Sequence, residues 1–173
     1  MTSAIGGRWS RLLAFAVAVA VTGMLVISSG QTVGAQSEES TKGLQGTWRA
    51  QGTLLNCTTG LPLGAPPFPA LISFARGGTA TAVVSNPAFQ PGQRTPSLGA
   101  WHATGPQTFT LVHEAFILFD GGIFHKGKQR ITENIQVNGD QYTSVASSQF
   151  YDATGAPIGN PGCAMSVAQR MEE

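Results

Sequence analysis

The sequence predicts an all-β fold, specifically an eight-stranded antiparallel up-and-down β-barrel. Short strand-like segments alternate with Gly- and Pro-rich turns, and no long segment repeats with the period of a helix. Gly46-Thr47-Trp48 opens the first predicted strand and Arg170 lies near the end of the last. Closing a barrel makes these two strands neighbours, so Trp48 and Arg170 can meet. A β-sandwich is the alternative fold for the same short strands.

The eight predicted strands follow one another through local connections. They are Leu44–Cys57, Ala70–Ala75, Thr79–Val84, Leu98–Ala103, Thr108–Phe119, Lys128–Val137, Gln141–Asp152 and Cys163–Met171. Asn138-Gly139 is the strongest hairpin signal, and Arg76-Gly77-Gly78 predicts another tight turn. Longer loops are expected at 58–69, 86–96, 120–126 and 153–162.

The N-terminal segment has the features of an export signal. Arg8 and Arg11 precede an apolar run, and small residues follow up to Ala35. This pattern predicts a signal peptide over residues 1–35, a polar disordered linker over 36–43 and the barrel domain over 44–173. The apolar run, Leu12–Ile27, is shorter than the roughly 20 residues of a membrane span, which disfavours the alternative of an uncleaved anchor. We therefore expect a secreted or periplasmic (extracytoplasmic) protein with no stable membrane anchor after cleavage.

The charge balance excludes one class of partner. The chain has 10 Lys and Arg against 9 Asp and Glu. Removing Arg8 and Arg11 with the signal peptide leaves 10 − 2 = 8 cations and a net charge of −1. Since these cations form no basic cluster, the sequence offers no support for nucleic-acid binding.

The two cysteines predict a disulfide. Cys57 ends the first predicted strand and Cys163 begins the last, so barrel closure would bring them side by side. Two buried free thiols are the alternative. With only two Cys and no paired His, we expect no structural zinc and no other cofactor.

A glycine-tryptophan motif and a distant arginine carry a family resemblance. Gly46-Thr47-Trp48 opens the first strand and Arg170 lies near the end of the last. This pairing resembles the calycin superfamily of lipocalin-like β-barrels. The resemblance implies that Trp48 covers the closed end of the barrel, that Arg170 lies across its indole, and that the interior is a cup for a small ligand.

Longer stretches of the chain are similar to those of uncharacterised exported bacterial lipocalin-like proteins. The stretches are Phe74–Thr79, Ser85–Phe89 and Glu114–Leu118. This second resemblance carries no activity with it.

The Asn138-Gly139 hairpin predicts which side chains face inward. A two-residue turn there pairs Val137 with Asp140 and Glu133 with Ser144. The face that should meet the core carries Ile131, Ile135, Val137, Tyr142, Ala146 and Phe150. Glu133 lies on that same face, where a carboxylate is costly unless it is paired or reaches water at the rim.

The predicted fifth strand has two apolar faces. His113 lies on one of them and Glu114 on the other, so an oligomer interface or a covering loop is expected on one side. The register that aligns apolar residues puts His113 opposite Glu133, whereas a one-residue slip would bring in Glu114. A His113–Glu133 contact is a candidate acid/base pair, and the alternative is a core histidine satisfied by the carboxylate.

A metal site built on two histidines is not expected. His102 is predicted on the same face as His113 and directly opposite Phe109. Phe109 lies four residues from His113 along the fifth strand. At about 3.3 Å per residue, the two rings lie roughly 13 Å apart, too far to share one ion.

Three function classes remain open from the sequence. The first is a binding protein for a small apolar molecule, and its predicted ligand contacts are Trp101, Phe109, Leu111, Ile131, Ile135, Tyr142 and Phe150. The second is a cyclase or isomerase whose cup resembles that of allene oxide cyclase, using Glu133 with His113 or Glu114. The third is a structural or interaction protein that forms a homo-oligomer through its doubly apolar hairpin.

Overall fold

The computed structural model describes residues 43–120 and 123–172. The predicted signal peptide, and the predicted linker up to residue 42, lie outside the described residues. Among the described residues, no helix is long and apolar enough to cross a membrane.

Eight antiparallel strands close into one barrel, which confirms the predicted fold class. The strands are β1 (Gly46–Leu55), β2 (Phe68–Ala75), β3 (Thr79–Val84), β4 (Ser97–Ala103), β5 (Thr108–Asp120), β6 (Ile123–Asn138), β7 (Gln141–Asp152) and β8 (Pro157–Arg170). Each pairs with its neighbours in sequence, and β8 returns to β1. The predicted loops at 120–126 and 153–162 are largely wrong, since β6 and β8 extend through them.

Alternating burial explains why these segments form barrel strands. In β1, Trp48, Ala50 and Gly52 are buried, whereas Thr47, Arg49 and Gln51 between them are exposed. Successive side chains of a strand point to opposite faces, so this pattern gives β1 one face to close inward, and β2 and β3 alternate in the same way.

The turn between β6 and β7 lies one residue later than predicted. Asn138 pairs with Gln141, and Val137 pairs with Tyr142. The loop is therefore Gly139-Asp140, and Gly139 has the positive φ of 60° that this tight turn requires. Asp140 is held in the loop by Arg170, whose Nε donates to Oδ1 at 2.8 Å. Because the register shifts by two residues, the inward face stays as predicted and only the opposing partners change.

The predicted register between β4 and β5 is wrong by one residue. His102 pairs with Thr110, and Gly99 pairs with His113. The connection is one residue longer than expected, and Thr104 N–H donates to the Thr108 carbonyl at 2.8 Å. An odd shift exchanges the two faces of a strand, so His102 is exposed and does not share the face of buried His113.

Between β5 and β6, the predicted pairing of His113 with Glu133 is wrong by two residues. His113 is opposite Ile131, and Glu133 is opposite Leu111. The parity is nevertheless the predicted one, so His113 and Glu133 still face the interior on adjacent strands.

The barrel closes between β1 and β8 with Trp48 opposite Arg170. The guanidinium carbon of Arg170 lies 4.1 Å from the centroid of the Trp48 ring. Arg170 also donates to the Gly43 carbonyl at 2.8 Å and to the Gln45 carbonyl. The Trp48 Nε1 donates to the Leu44 carbonyl at 2.9 Å, so the buried indole has its hydrogen bond.

The predicted disulfide is confirmed. Cys57 and Cys163 are bonded across a Cα–Cα distance of 5.2 Å and a sequence separation of 106 residues. Cys57 lies in the turn after β1, and Cys163 lies within β8 opposite Leu55. The bond therefore joins the two closing strands at the end opposite to Trp48.

Candidate functional site

The barrel interior divides into two halves along its axis. One half is filled by rings, and we call it the aromatic half: Trp48, Phe74, Trp101, Phe109 and Tyr142, all buried. Tyr142 is 5.0 Å from Trp48, and Phe74 is 5.9 Å from Trp101, measured between ring centroids. Such tilted and edge-to-face contacts fill this half with packed side chains and leave the other half for a cavity.

The other half, which we call the cavity half, contains about 90 Å³ of open space. Its lining combines apolar and small side chains with a few polar ones: Gly52, Leu54, Phe68, Ala70, Ile72, Val84, Asn86, Arg94, His113, Gln129, Ile131, Glu133, Ala146, Ser148, Gly162, Cys163, Ala164 and Ser166.

Small residues on β1, β7 and β8 create this space. Gly52 lies opposite Phe68, and a Cβ at Gly52 would come within 2.6 Å of the Phe68 ring. Real Cβ atoms do not approach other atoms so closely, so only glycine lets this ring lie against β1. Ala146, Ala164 and Gly162 likewise put little volume into the interior.

Glu133 is the central polar group of the cavity. Its Oε1 lies 3.2 Å from Nε2 of His113, and its Oε2 accepts a hydrogen bond from Ser144 Oγ at 3.0 Å. Glu133 is only 7% exposed and His113 only 2%. Burial of a carboxylate is costly without partners, and here β5 and β7 supply one partner each.

Gly99 on β4 positions His113. The two residues are directly opposed, and a Cβ on Gly99 would lie 2.5 Å from the Cβ of His113. A larger residue would therefore push His113 away from β4 and disturb its distance to Glu133.

Two buried polar atoms next to this cluster have no hydrogen-bond partner among the described residues. They are Nδ1 of His113 and the hydroxyl oxygen of Tyr142. Burial, together with the negative charge of Glu133, raises the pKa of the Tyr142 phenol above its usual range. Tyr142 therefore remains a neutral hydroxyl, able to donate a hydrogen bond. The barrel interior therefore holds a carboxylate acceptor, a hydroxyl donor and an imidazole nitrogen.

Glu114, the alternative to His113, faces the outside of the barrel. Its carboxylate accepts hydrogen bonds from Lys128 at 3.0 and 3.2 Å, and Arg130 lies 3.5 Å away. This arrangement is an exposed ion-pair cluster between β5 and β6, separated from the cavity by the sheet.

Arg94 is a cavity residue that the sequence reasoning did not identify. It lies in the connection between β3 and β4, which folds back on β5. The Leu118 N–H donates to the Gln93 carbonyl at 2.8 Å, and Thr95 N–H donates to the Phe116 carbonyl at 3.0 Å. This segment therefore pairs with β5 through its backbone, as the Arg94–Ile117 bridge shows, and it leaves Phe116 on the apolar outer face 55% exposed. A signal was available, since Arg94 is the sole Lys, Arg, Asp or Glu between Arg76 and Glu114.

The Arg94 guanidinium is held by neutral groups. Nε donates to Gln129 Oε1 at 2.9 Å, Nη2 to Ser97 Oγ at 2.8 Å and Nη1 to the Thr95 carbonyl at 3.4 Å. The Phe89 ring centroid lies 6.0 Å from its carbon. Burial lowers the pKa of this guanidinium. Within the described residues, no Asp or Glu forms an ion pair with it.

The predicted ligand contacts are distributed over both halves. Ile131 lines the cavity, whereas Trp101, Phe109, Leu111, Ile135 and Tyr142 do not. Phe109 and Ile135 line a separate depression with Asn134 and Met165. Phe150 packs near Phe89, with their ring centroids 6.2 Å apart. A ligand in the cavity half would therefore contact a largely different set of residues, chiefly on β2, β6 and β8.

Metal ligation finds no support in the described part of the chain. No three His, Cys, Asp or Glu side chains there are grouped so that they could hold an ion.

No protein-family model matches the chain, and no curated protein matches it. Among solved structures, the S-type phycobiliprotein lyase CPES from Guillardia theta is similar over 79% of this chain and 93% of its own, with 10% identity and a TM-score of 0.41. At that identity and TM-score, the likeness transfers neither ligand nor chemistry.

Proposed function

We propose that this protein binds a small, largely apolar molecule in the cavity half of its barrel. The observation that supports the proposal is the division of the interior, because tight ring packing in one half contrasts with about 90 Å³ of space in the other. The walls offer Phe68, Ile72 and Val84, and Glu133 gives the site a polar group. Apolar walls with few placed polar groups are typical of small-ligand sites.

We also propose that the protein is exported, with its signal peptide cleaved after Ala35. The long-range disulfide supports this, because such bonds persist in oxidising compartments.

Native mass spectrometry of the protein isolated from its own host tests both proposals. We expect a chain beginning at Gln36, a mass reduced by two hydrogens for the disulfide, and additional mass from a retained apolar molecule. The same spectrum reports whether a homo-oligomer forms. An intact N-terminus would contradict export. An empty protein that also binds none of a panel of small apolar probes would contradict the binding function.

An enzyme of the cyclase or isomerase type is the second candidate. The observation that favours it is the buried His113–Glu133 contact of 3.2 Å, in which the imidazole Nδ1 finds no partner in the described part of the chain. A carboxylate can orient an imidazole and raise its basicity, which suits proton transfer to or from an enclosed apolar substrate.

Glu133→Gln separates these two candidates. The amide keeps the shape and can still bond Ser144, so we expect the fold to persist and ligand affinity to fall by about tenfold or less. If the protein is an enzyme, turnover should fall by about 100-fold or more at unchanged stability. Glu114→Gln is the matched control, because it removes a carboxylate from the outer surface of the neighbouring strand. Turnover that is equal in both variants would remove Glu133 as the acid/base.

A further inference from the structure

We propose that the ligand carries a carboxylate and that Arg94 binds it. This inference rests on the proposed binding function and adds the chemical class of the ligand: a small carboxylic acid with an apolar body.

Arg94 is unusual because its guanidinium is partly buried and contacts only neutral groups among the described residues. Its side chain lines the cavity, partly buried, and its three contacts are all neutral. Removing a guanidinium from water without a carboxylate is costly, and structural arginines usually recover that cost through an acidic partner. Lys128, Arg130 and Arg170 in this protein each have such a partner. Arg94 is thus the cation whose counter-charge a ligand could supply.

The Arg94 guanidinium keeps two N–H donors available for a ligand. A guanidinium has five N–H groups, and the three contacts use one on each nitrogen. One N–H therefore remains on Nη1 and one on Nη2. Two N–H groups of a guanidinium can act as a fork that holds a carboxylate through two parallel hydrogen bonds, and these two are the donors that remain for a ligand. The contacts to Gln129 and Ser97 fix the orientation of the fork before any ligand arrives, which reduces the entropy cost of binding.

Glu133 carries a negative charge that would repel a second anion nearby, so its position relative to Arg94 matters. Gln129, which holds Arg94, precedes Glu133 by four residues on β6, or about 13 Å along the strand. A carboxylate on Arg94 would therefore lie away from Glu133, whose oxygens already contact His113 Nε2 and Ser144 Oγ. The apolar body would pack between these two positions, against Phe68, Val84 and Ile131.

Octanoate and octanol provide a matched pair of probes, because they share a chain and differ in the carboxylate. Calorimetric titration of the full-length protein should show octanoate binding roughly tenfold or more tightly than octanol. Arg94→Gln should abolish that preference and leave octanol affinity within about twofold, while Arg94→Lys should retain part of it, since it keeps the charge without the fork. Arg130→Gln, which removes an exposed cation from the outside, should change neither affinity.

Each outcome decides the inference. Equal binding of both probes to the unmodified protein would overturn the carboxylate but leave the apolar binding function standing. A preference for octanoate that survives in Arg94→Gln would show that another group holds the anion, and would overturn the role of Arg94. Failure of both probes to bind would overturn both the inference and the binding function for ligands of this size. If Arg94→Gln fails to fold, the Arg94→Lys comparison alone decides, and an undiminished preference there would contradict the bidentate fork.

Discussion

The two halves of the barrel are built on the same eight strands but by opposite rules. The aromatic half holds large rings and is capped by Arg170 over Trp48, whose indole N–H bonds the Leu44 carbonyl. The cavity half holds glycine, alanine and serine on several strands, and buries His113, Glu133 and Gln129 in its interior. Ring packing in the aromatic half therefore stabilises the barrel, whereas the buried polar groups and open space of the cavity half lower its stability.

The means of closure also differ between the halves. Around Trp48, side-chain packing and the hydrogen bonds of Arg170 join β1 to β8. At the cavity end, the Cys57–Cys163 bond joins the same two strands. A region with little interior packing has less to hold its strands together, so a covalent link matters more there.

Removing the disulfide should have the largest effect on stability. Replacing both Cys57 and Cys163 with serine should lower the free energy of unfolding by about 4–5 kcal/mol in the chain-entropy account, because the bond closes a loop of over 100 residues. Urea denaturation monitored by tryptophan fluorescence gives the value, and the reduced unmodified protein is the control. Hydrogen exchange should rise first at Leu55 and Ala164. A loss below about 1 kcal/mol would show that packing alone holds the cavity half.

Trp48→Ala tests the aromatic half. Trp48 is fully buried between Tyr142 and Arg170, so its truncation should cost about 3–5 kcal/mol. Leu98→Ala is the control, because Leu98 is 69% exposed and its truncation should cost no more than about 0.5 kcal/mol. Thermal and urea unfolding measure both. Similar losses in the two variants would mean that the rings do not provide the main packing.

Replacing the polar cluster should have the smallest effect and the opposite sign. The triple variant His113→Leu, Glu133→Met, Ser144→Ala removes all three polar groups together, so no buried group is left without its partner. We expect it to be neutral or more stable by about 1–3 kcal/mol, because well-packed apolar residues often replace a buried ion pair without loss. The single change Glu133→Met, which leaves His113 and Ser144 without the carboxylate, should be less stable than the triple variant. Urea midpoints decide the order, and a triple variant as unstable as Trp48→Ala would show that the cluster holds the fold together.

The register of β6 and β7 illustrates how far sequence reasoning reaches. The alternation of apolar and polar residues predicted correctly that Glu133, Ile135 and Tyr142 face inward. It did not predict which residues are opposed, because a shift by two leaves the alternation unchanged. The contact between Arg170 and Asp140 favours Gly139-Asp140 as the turn, and that contact joins residues 30 positions apart.

For His102 the predicted face was wrong, and Arg94 was not predicted as a cavity residue at all. A loop one residue longer than expected between β4 and β5 moved His102 to the outside. Arg94 lies in an irregular, Pro-containing segment for which periodicity makes no prediction. Its place in the cavity depends on hydrogen bonds to Gln129, Ser97 and the strand β5.

The sequence by itself determined the strand order, the inward faces of β6 and β7, and the link between first and last strands. These follow from local alternation, from turn residues and from two cysteines that only barrel closure brings together. Only the tertiary structure decided the registers, the emptiness of one half and the approach of Arg94 to the cavity. Those features depend on contacts between residues far apart in the chain, and on small side chains whose effect is the space they leave.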